Sequence, residues 1–260
     1  MINKNSEIHK DAKISKTADI GPYVVIGPKV EIGDNVKIHS HVNISGDTKI
    51  NKGNIIYPFA SIGSDPQDLK YKGETTKLVI GENNIIREYV TINPGTEGGG
   101  GLTRIGNNCL IMISAHIAPD CVVGDSVIIA NNAAIAGHAQ IGDDVVIGGN
   151  CGVQQFARIG KMAMIGGMTG VDRDVIPYGL SIGNRNYLTG INVVGLRRRS
   201  IPNKEIITLS NAYKEIFRSE NLHDNLNNLN GEFKDNSYVK DVVDFINKDK
   251  KRPICTPFSK

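Results

Sequence analysis

Isoleucine returns every six residues at Ile8, Ile14 and Ile20, and holds that phase to Ile62. The lattice reappears at Ile80, Ile86 and Ile92, and again from Ile105 to Val171, giving twenty-five aliphatic positions in all. Glycine often follows the aliphatic residue, as at Gly21, Gly27 and Gly33. A small or branched residue stands four places after it, as at Ala12, Ala18, Val24 and Val30. A period of six matches neither the 3.6 of an amphipathic helix nor the 2 of an alternating strand. It is the repeat of a parallel β-helix, in which each hexapeptide gives one short strand and one turn. Three hexapeptides close a triangular coil of 18 residues, so the lattice predicts roughly eight coils. The expected architecture is an all-β solenoid over residues 1–186 and a small helical domain over 187–260.

Two interruptions break the solenoid. Between Ile62 and Ile80 the spacing is three whole hexapeptides, yet Asp68 and Glu74 hold the aliphatic sites. A loop near 64–78, rich in hydrogen-bonding side chains, is expected there and reads as functional. Between Ile92 and Ile105 the spacing is out of phase by one, and Pro94, Gly95 and the run Gly98-Gly99-Gly100-Gly101 mark a second loop near 93–104. Long loops on a regular solenoid are either functional or disordered, and for the second loop both readings stand.

Past Val171 the lattice fades. Ile206, Ile207, Leu209, Tyr213, Ile216 and Phe217 fall at helical spacing within 203–218, and Val239, Val242, Val243 and Ile246 repeat the theme within 237–248. Composition adds little to this except by exclusion. Lys and Arg total 30 against 27 Asp and Glu, which is close to balance, but residues 184–260 carry 14 basic and 9 acidic side chains. That surplus is either a solvated face or a site for phosphate or an acidic partner. No apolar run approaches the roughly 20 residues of a membrane helix, and the first residues lack the apolar core of a secretion signal. The four cysteines make no CxxC pair and no metal spacing, which suits structural thiols in a reducing cytoplasm. No metal site is expected. With no Trp and only 5% aromatics, the core must be built from small aliphatics.

The loops and coil turns carry strings that together resemble one family. They are Asp68-Leu69-Lys70-Tyr71-Lys72-Gly73-Glu74, Gly99-Gly100-Gly101-Leu102-Thr103, Ala115-His116-Ile117-Ala118, Ala130-Asn131-Asn132-Ala133, the turn ending in His138, Gln155-Phe156, Asn192, Gly195-Leu196-Arg197-Arg198-Arg199 and Asn211-Ala212-Tyr213-Lys214. The chain resembles, over nearly its whole length, the acyl-carrier-protein-dependent UDP-N-acetylglucosamine O-acyltransferases, which open lipid A synthesis. The resemblance implies a left-handed β-helix and a cytoplasmic homotrimer with active sites between neighbouring solenoids. It also implies transfer of a 3-hydroxyacyl group from acyl carrier protein to the sugar 3-hydroxyl. No cofactor is implied beyond the phosphopantetheine that carries the acyl chain. The expected partners are acyl carrier protein and a UDP-amino sugar; neither nucleic acid nor stable membrane insertion is expected.

Carried over by position, the resemblance gives Asp68 and Lys70 the polar groups of sugar and acyl chain. His138 would help to place the substrate, and Gln155, Asn192 and Arg198 would hold the nucleotide diphosphate, where the planar fork of arginine suits paired oxygens. One departure stands out. The family's Ala-His-Ile-Ala-His-Asp, whose second histidine is the general base, reads Ala115-His116-Ile117-Ala118-Pro119-Asp120 here. Two further family histidines are replaced by Asn93 and Gln154. Proline accepts no proton, which leaves His116 as the first candidate substitute base and Asp120, given a pKa raised by burial, as the second. Three readings follow: an O-acyltransferase with a substitute base, a catalytically silent homologue that binds nucleotide sugar or acyl carrier protein, and an acyltransferase for an amino-sugar acceptor.

Overall fold

The computed structural model describes residues 1–249 and 251–258; Lys250, Ser259 and Lys260, which the expected helical segment 187–260 includes, lie outside the described residues. Each hexapeptide forms a two-residue strand that ends on its aliphatic residue, with occasional four-residue strands such as Lys77–Ile80 and Leu102–Ile105. The strands stack in parallel into three sheets. One face runs from Glu7–Ile8 to Gly170–Val171, the next from Lys13–Ile14 to Arg158–Ile159, and the third from Asp19–Ile20 through Met164–Ile165 to Gly179–Ile182. Successive coils pair in strict register, with Ile62 opposite Ile92, Ile92 opposite Ile117 and Ile117 opposite Ile135. A β-branched side chain fits this pleated surface. Burying each one contributes about 1.5–3 kcal/mol.

Each hexapeptide sends a second residue inward, four places after the aliphatic one. Ala18, Val24, Val30, Val36 and Val42 fill this inner position, at the three corners in turn, in the lower coils. Higher up it holds Cys109, Cys121 and Cys151, all buried and unpaired. Burial pushes the Cys109 thiol up to about 11 and that of Cys121 up to about 12, so these thiols stay protonated and serve as small apolar groups. Asn54 and Asn84 occupy the same inner position of the repeat without leaving their amides unpaired. Asn54 Nδ2 donates to the Asn51 and Gly81 carbonyls, both at 2.7 Å, and its Oδ1 accepts from Asn84 N. Asn84 repeats the pattern one coil higher, accepting from Cys109 N at 2.7 Å and donating to the Gly106 carbonyl at 2.9 Å.

The coil corners are left-handed in φ. At the corner between the third and first faces, Tyr23, His41, Phe59 and Tyr89 have φ between 57° and 64° and stack with ring centroids 5.0–5.1 Å apart. The corner between the first and second faces carries both expected loops, since no strand forms between Ser61–Ile62 and Lys77–Ile80 or between Thr91–Ile92 and Leu102–Ile105.

Tyr187–Ile191 returns antiparallel to Gly179–Ile182 and finishes the third sheet. Five helices follow: α1 (Val193–Arg198), α2 (Asn203–Ile216), α3 (Leu222–Asn227), α4 (Gly231–Lys234) and α5 (Ser237–Lys248). The apolar spacing in the sequence marks α2 and α5; the three short helices are too brief to show a periodicity. α2 buries Ile206, Leu209, Ala212 and Ile216, and α5 buries Val239, Val242 and Ile246. The buried Asp174 ties this tail to the coils, accepting from Arg158 Nε at 2.6 Å and Arg252 Nε at 2.8 Å. Arg158 in turn donates to the Phe245 carbonyl of α5 at 3.2 Å. No described helix is long and apolar enough to cross a membrane.

Candidate active site

A cleft of about 680 Å³ opens at the corner between the first and second faces. Asp68, Lys70, Tyr71 and Glu74 of the first loop line it on one side, and Thr96 to Gly99 of the second loop line it on another. Asp120, His138 and Phe156 form its wall. These three residues lie 18 apart and occupy the same corner of three successive coils, with φ of 62°, 62° and 65°.

The first loop holds itself in place by local turns. The Asp68 carboxylate accepts from Lys70 N at 2.9 Å, and the Glu74 carboxylate accepts from Lys72 N at 2.7 Å, which lowers its pKa. The buried Asn93 pins the entry to this loop by donating from Nδ2 to the carbonyls of Ser64 at 3.0 Å and Asp65 at 3.2 Å. The second loop is moulded around Asp120. Thr96 donates from its backbone N at 2.9 Å to Oδ1 and from Oγ1 at 2.6 Å to Oδ2. A Cβ at Gly99 would collide with the Asp120 carboxylate, and one at Gly95 would collide with both that carboxylate and the backbone of Gly101–Leu102. The glycine run therefore lets the main chain close onto a buried acid. Neither the anchoring role of Asn93 nor that of Thr96 was visible in the sequence, although the 18-residue coil length would have placed Asp120, His138 and Phe156 in one column.

Of the residues expected at the site, the structure brings Asp68, Lys70, Asp120 and His138 together. His116 does not line the cleft. It stands half-buried on the first face, its Nδ1 2.7 Å from Thr91 Oγ1, and burial lowers its pKa. Gln155 is exposed, directly before the cleft residue Phe156. Asn192 caps α1, accepting from Gly195 N at 3.0 Å and donating to the Met162 carbonyl at 2.9 Å. Arg198, at the end of α1, is exposed, and its neighbour Arg199 pairs with Asp144. Met162 and Asp144 sit on the corner between the second and third faces, so within one chain Asn192 and Arg198 lie one corner round from the cleft. Among the described residues no group of three or more His, Cys, Asp or Glu side chains is placed to hold a metal ion.

A triangular parallel solenoid with a polar cleft built on one corner by two loops defines a hexapeptide-repeat transferase. The chain matches the bacterial transferase hexapeptide family over residues 1–46 and 102–137, and the second domain of the UDP-N-acetylglucosamine O-acyltransferases over 174–255. A relative from Rickettsia canadensis, the acyl-[acyl-carrier-protein]–UDP-N-acetylglucosamine O-acyltransferase, is 56% identical over 82% of this chain and 81% of its own. The UDP-N-acetylglucosamine O-acyltransferase (LpxA) of Moraxella catarrhalis superposes with a TM-score of 0.93 at 44% identity, covering 97% of this chain and 98% of that one. The corresponding acyltransferase of Francisella novicida superposes with a TM-score of 0.94 at 38% identity, covering 98% and 94%. The chain belongs to the UDP-N-acetylglucosamine O-acyltransferase family, and its fold is the left-handed parallel β-helix with a helical tail.

Proposed function

We propose that this chain transfers a 3-hydroxyacyl group from acyl carrier protein to the 3-hydroxyl of UDP-N-acetylglucosamine, the first step of lipid A biosynthesis. The observation that carries this reading is the corner cleft itself, where Asp68 and Lys70 on a self-braced loop face the buried Asp120 and His138. Asp68 offers an acceptor to sugar hydroxyls and Lys70 a cation to developing negative charge. Fixed groups of this kind accelerate acyl transfer by holding hydroxyl and thioester in reacting geometry. Phosphopantetheine brings the acyl chain, and no metal or further cofactor is invoked.

The enzyme is read as a cytoplasmic homotrimer. Asn192 and Arg198 belong to a different corner from Asp68 and His138, so a UDP-sugar with its diphosphate at the first pair and its sugar at the second must lie between two copies. The fully exposed Leu69 on the first loop and the exposed Phe156 of the cleft wall support the same arrangement, because both are large apolar groups left uncovered in a single copy. The basic tail suits docking of acidic acyl carrier protein.

Pro119 stands where the family resemblance puts the general base. It is half-buried, and its carbonyl accepts from His138 N at 2.9 Å. This substitution, with Asn93 and Gln154, favours a second reading in which the chain binds nucleotide sugar without turnover. Acyl transfer measured side by side with UDP-N-acetylglucosamine and its 3-amino counterpart separates the cases. Turnover of the hydroxyl acceptor supports the proposal. Turnover of the amine alone shows a changed acceptor, and binding without turnover shows the silent homologue.

A further inference from the structure

We propose that His138 is the general base of this enzyme, oriented by Asp120 as a positioning residue. This rests on the acyltransferase reading above. Of the six histidines, His138 alone lines the cleft. His41 is held in the aromatic corner stack, His39 lies against Tyr57 on a distant coil, and His116 is tied to Thr91. His9 lies on the first coil and His223 in α3.

The surroundings of His138 are those of an oriented base. Its Nδ1 stands 3.8 Å from Asp120 Oδ2, and the side chains are 27% and 1% exposed. The Asp120 carboxylate accepts from Thr96 N at Oδ1 and from Thr96 Oγ1 at Oδ2, which fixes its orientation beside the imidazole. The Phe156 ring lies on the His138 ring with centroids 4.3 Å apart and planes 2° from parallel, which fixes the plane in which the imidazole can turn. Among the described residues nothing hydrogen-bonds to Nε2. An acid that draws the proton to Nδ1 leaves the Nε2 lone pair for the substrate, the logic by which a carboxylate sets a histidine tautomer. Separations somewhat longer than a hydrogen bond are usual before substrate closes a site.

In the proposed step the sugar hydroxyl oxygen attacks the thioester carbonyl carbon and its proton passes to His138 Nε2. A carbon–oxygen bond forms, and the tetrahedral adduct collapses by breaking the carbon–sulfur bond. The proton on Nε2 then passes to the departing thiolate, which leaves as the thiol of phosphopantetheine. The imidazolium exists only between these two transfers, beside the Asp120 carboxylate.

The charged and titratable groups facing His138 across the cleft are Asp68, Lys70, Tyr71, Glu74, Glu97 and Asp120. The test compares wild type with His138→Gln and His138→Asn, the latter because asparagine tolerates the left-handed φ of this corner. In both variants kcat should fall by about 100-fold or more, the usual share of a general base, and by more than KM rises from the lost substrate contact. The acid limb of the kcat–pH profile should disappear in both. Asp120→Asn should lower kcat and move that limb while leaving nucleotide-sugar binding intact. A wild-type protein that turns over while either His138 variant keeps its rate and its acid limb overturns the assignment and leaves the acyltransferase reading standing. A wild-type protein that turns over neither acceptor overturns both.

Discussion

Asp120 is an uncommon case of a carboxylate whose whole neighbourhood is arranged for it. Two glycines make room for the loop above it, and one threonine supplies two of its hydrogen bonds. Gly99→Ala should push the loop off the carboxylate, lowering acyl transfer by about ten-fold or more while leaving the coils, and hence the thermal midpoint, nearly unchanged. Kinetics and calorimetry on the same sample check both halves. The sequence offers Asp120 as the second substitute base; in the structure its carboxylate accepts from both Thr96 N and Thr96 Oγ1, an arrangement that suits the positioning role proposed for it. His116 supplies a pH signature of its own. Burial lowers its folded pKa below the ordinary value of 6.5. As pH falls through 6.5 the unfolded chain takes up a proton that the folded chain resists, so stability declines until pH passes the folded pKa. His116→Gln should flatten this dependence, measured as the urea midpoint at pH 7.5 and pH 5.5.

At the scale of the element, most strands are two residues long and have no stability apart from their stack. Ile129 is fully buried and pairs above and below with Ile147 and Ile111. Ile129→Asp should cost several kcal/mol by burying an unpaired charge, read as loss of the cooperative thermal transition. The strands were legible in the sequence because each inner position is specified locally and repeats in phase. The two loops were legible as breaks in that phase. Asn54 and Asn84 were not, since their role depends on backbone N–H and carbonyl groups of adjacent coils 22 to 30 residues away in the chain. The functions of Asn93 and Thr96 were hidden for the same reason, and so was the capping role of Asn192, whose partners lie both in α1 and on the coil at Met162.

At the scale of the whole molecule, the proposed reading puts the two halves of the site on two corners of one chain. Light scattering at micromolar concentration should give a trimer mass. A monomer would leave Asn192 and Arg198 with no route to the substrate held at Asp68. Leu69→Asp, on the first loop, should weaken the assembly and raise KM for the nucleotide sugar together, seen by scattering and kinetics on one variant.

The column of Asp120, His138 and Phe156 has a consequence for how such a site can change over time. Its members are spaced by the strand separation, about 4.8 Å, and the backbone ladder fixes that interval. Groups on this corner can therefore move only in whole rungs, since a half-step would break the pairing of every coil above. A lineage that loses its proton acceptor at one level cannot slide a replacement into the gap. With His138 as the base, the proton acceptor passes from the coil that carries position 119 to the coil above it, within reach of the same Asp120, while the scaffold stays as it was.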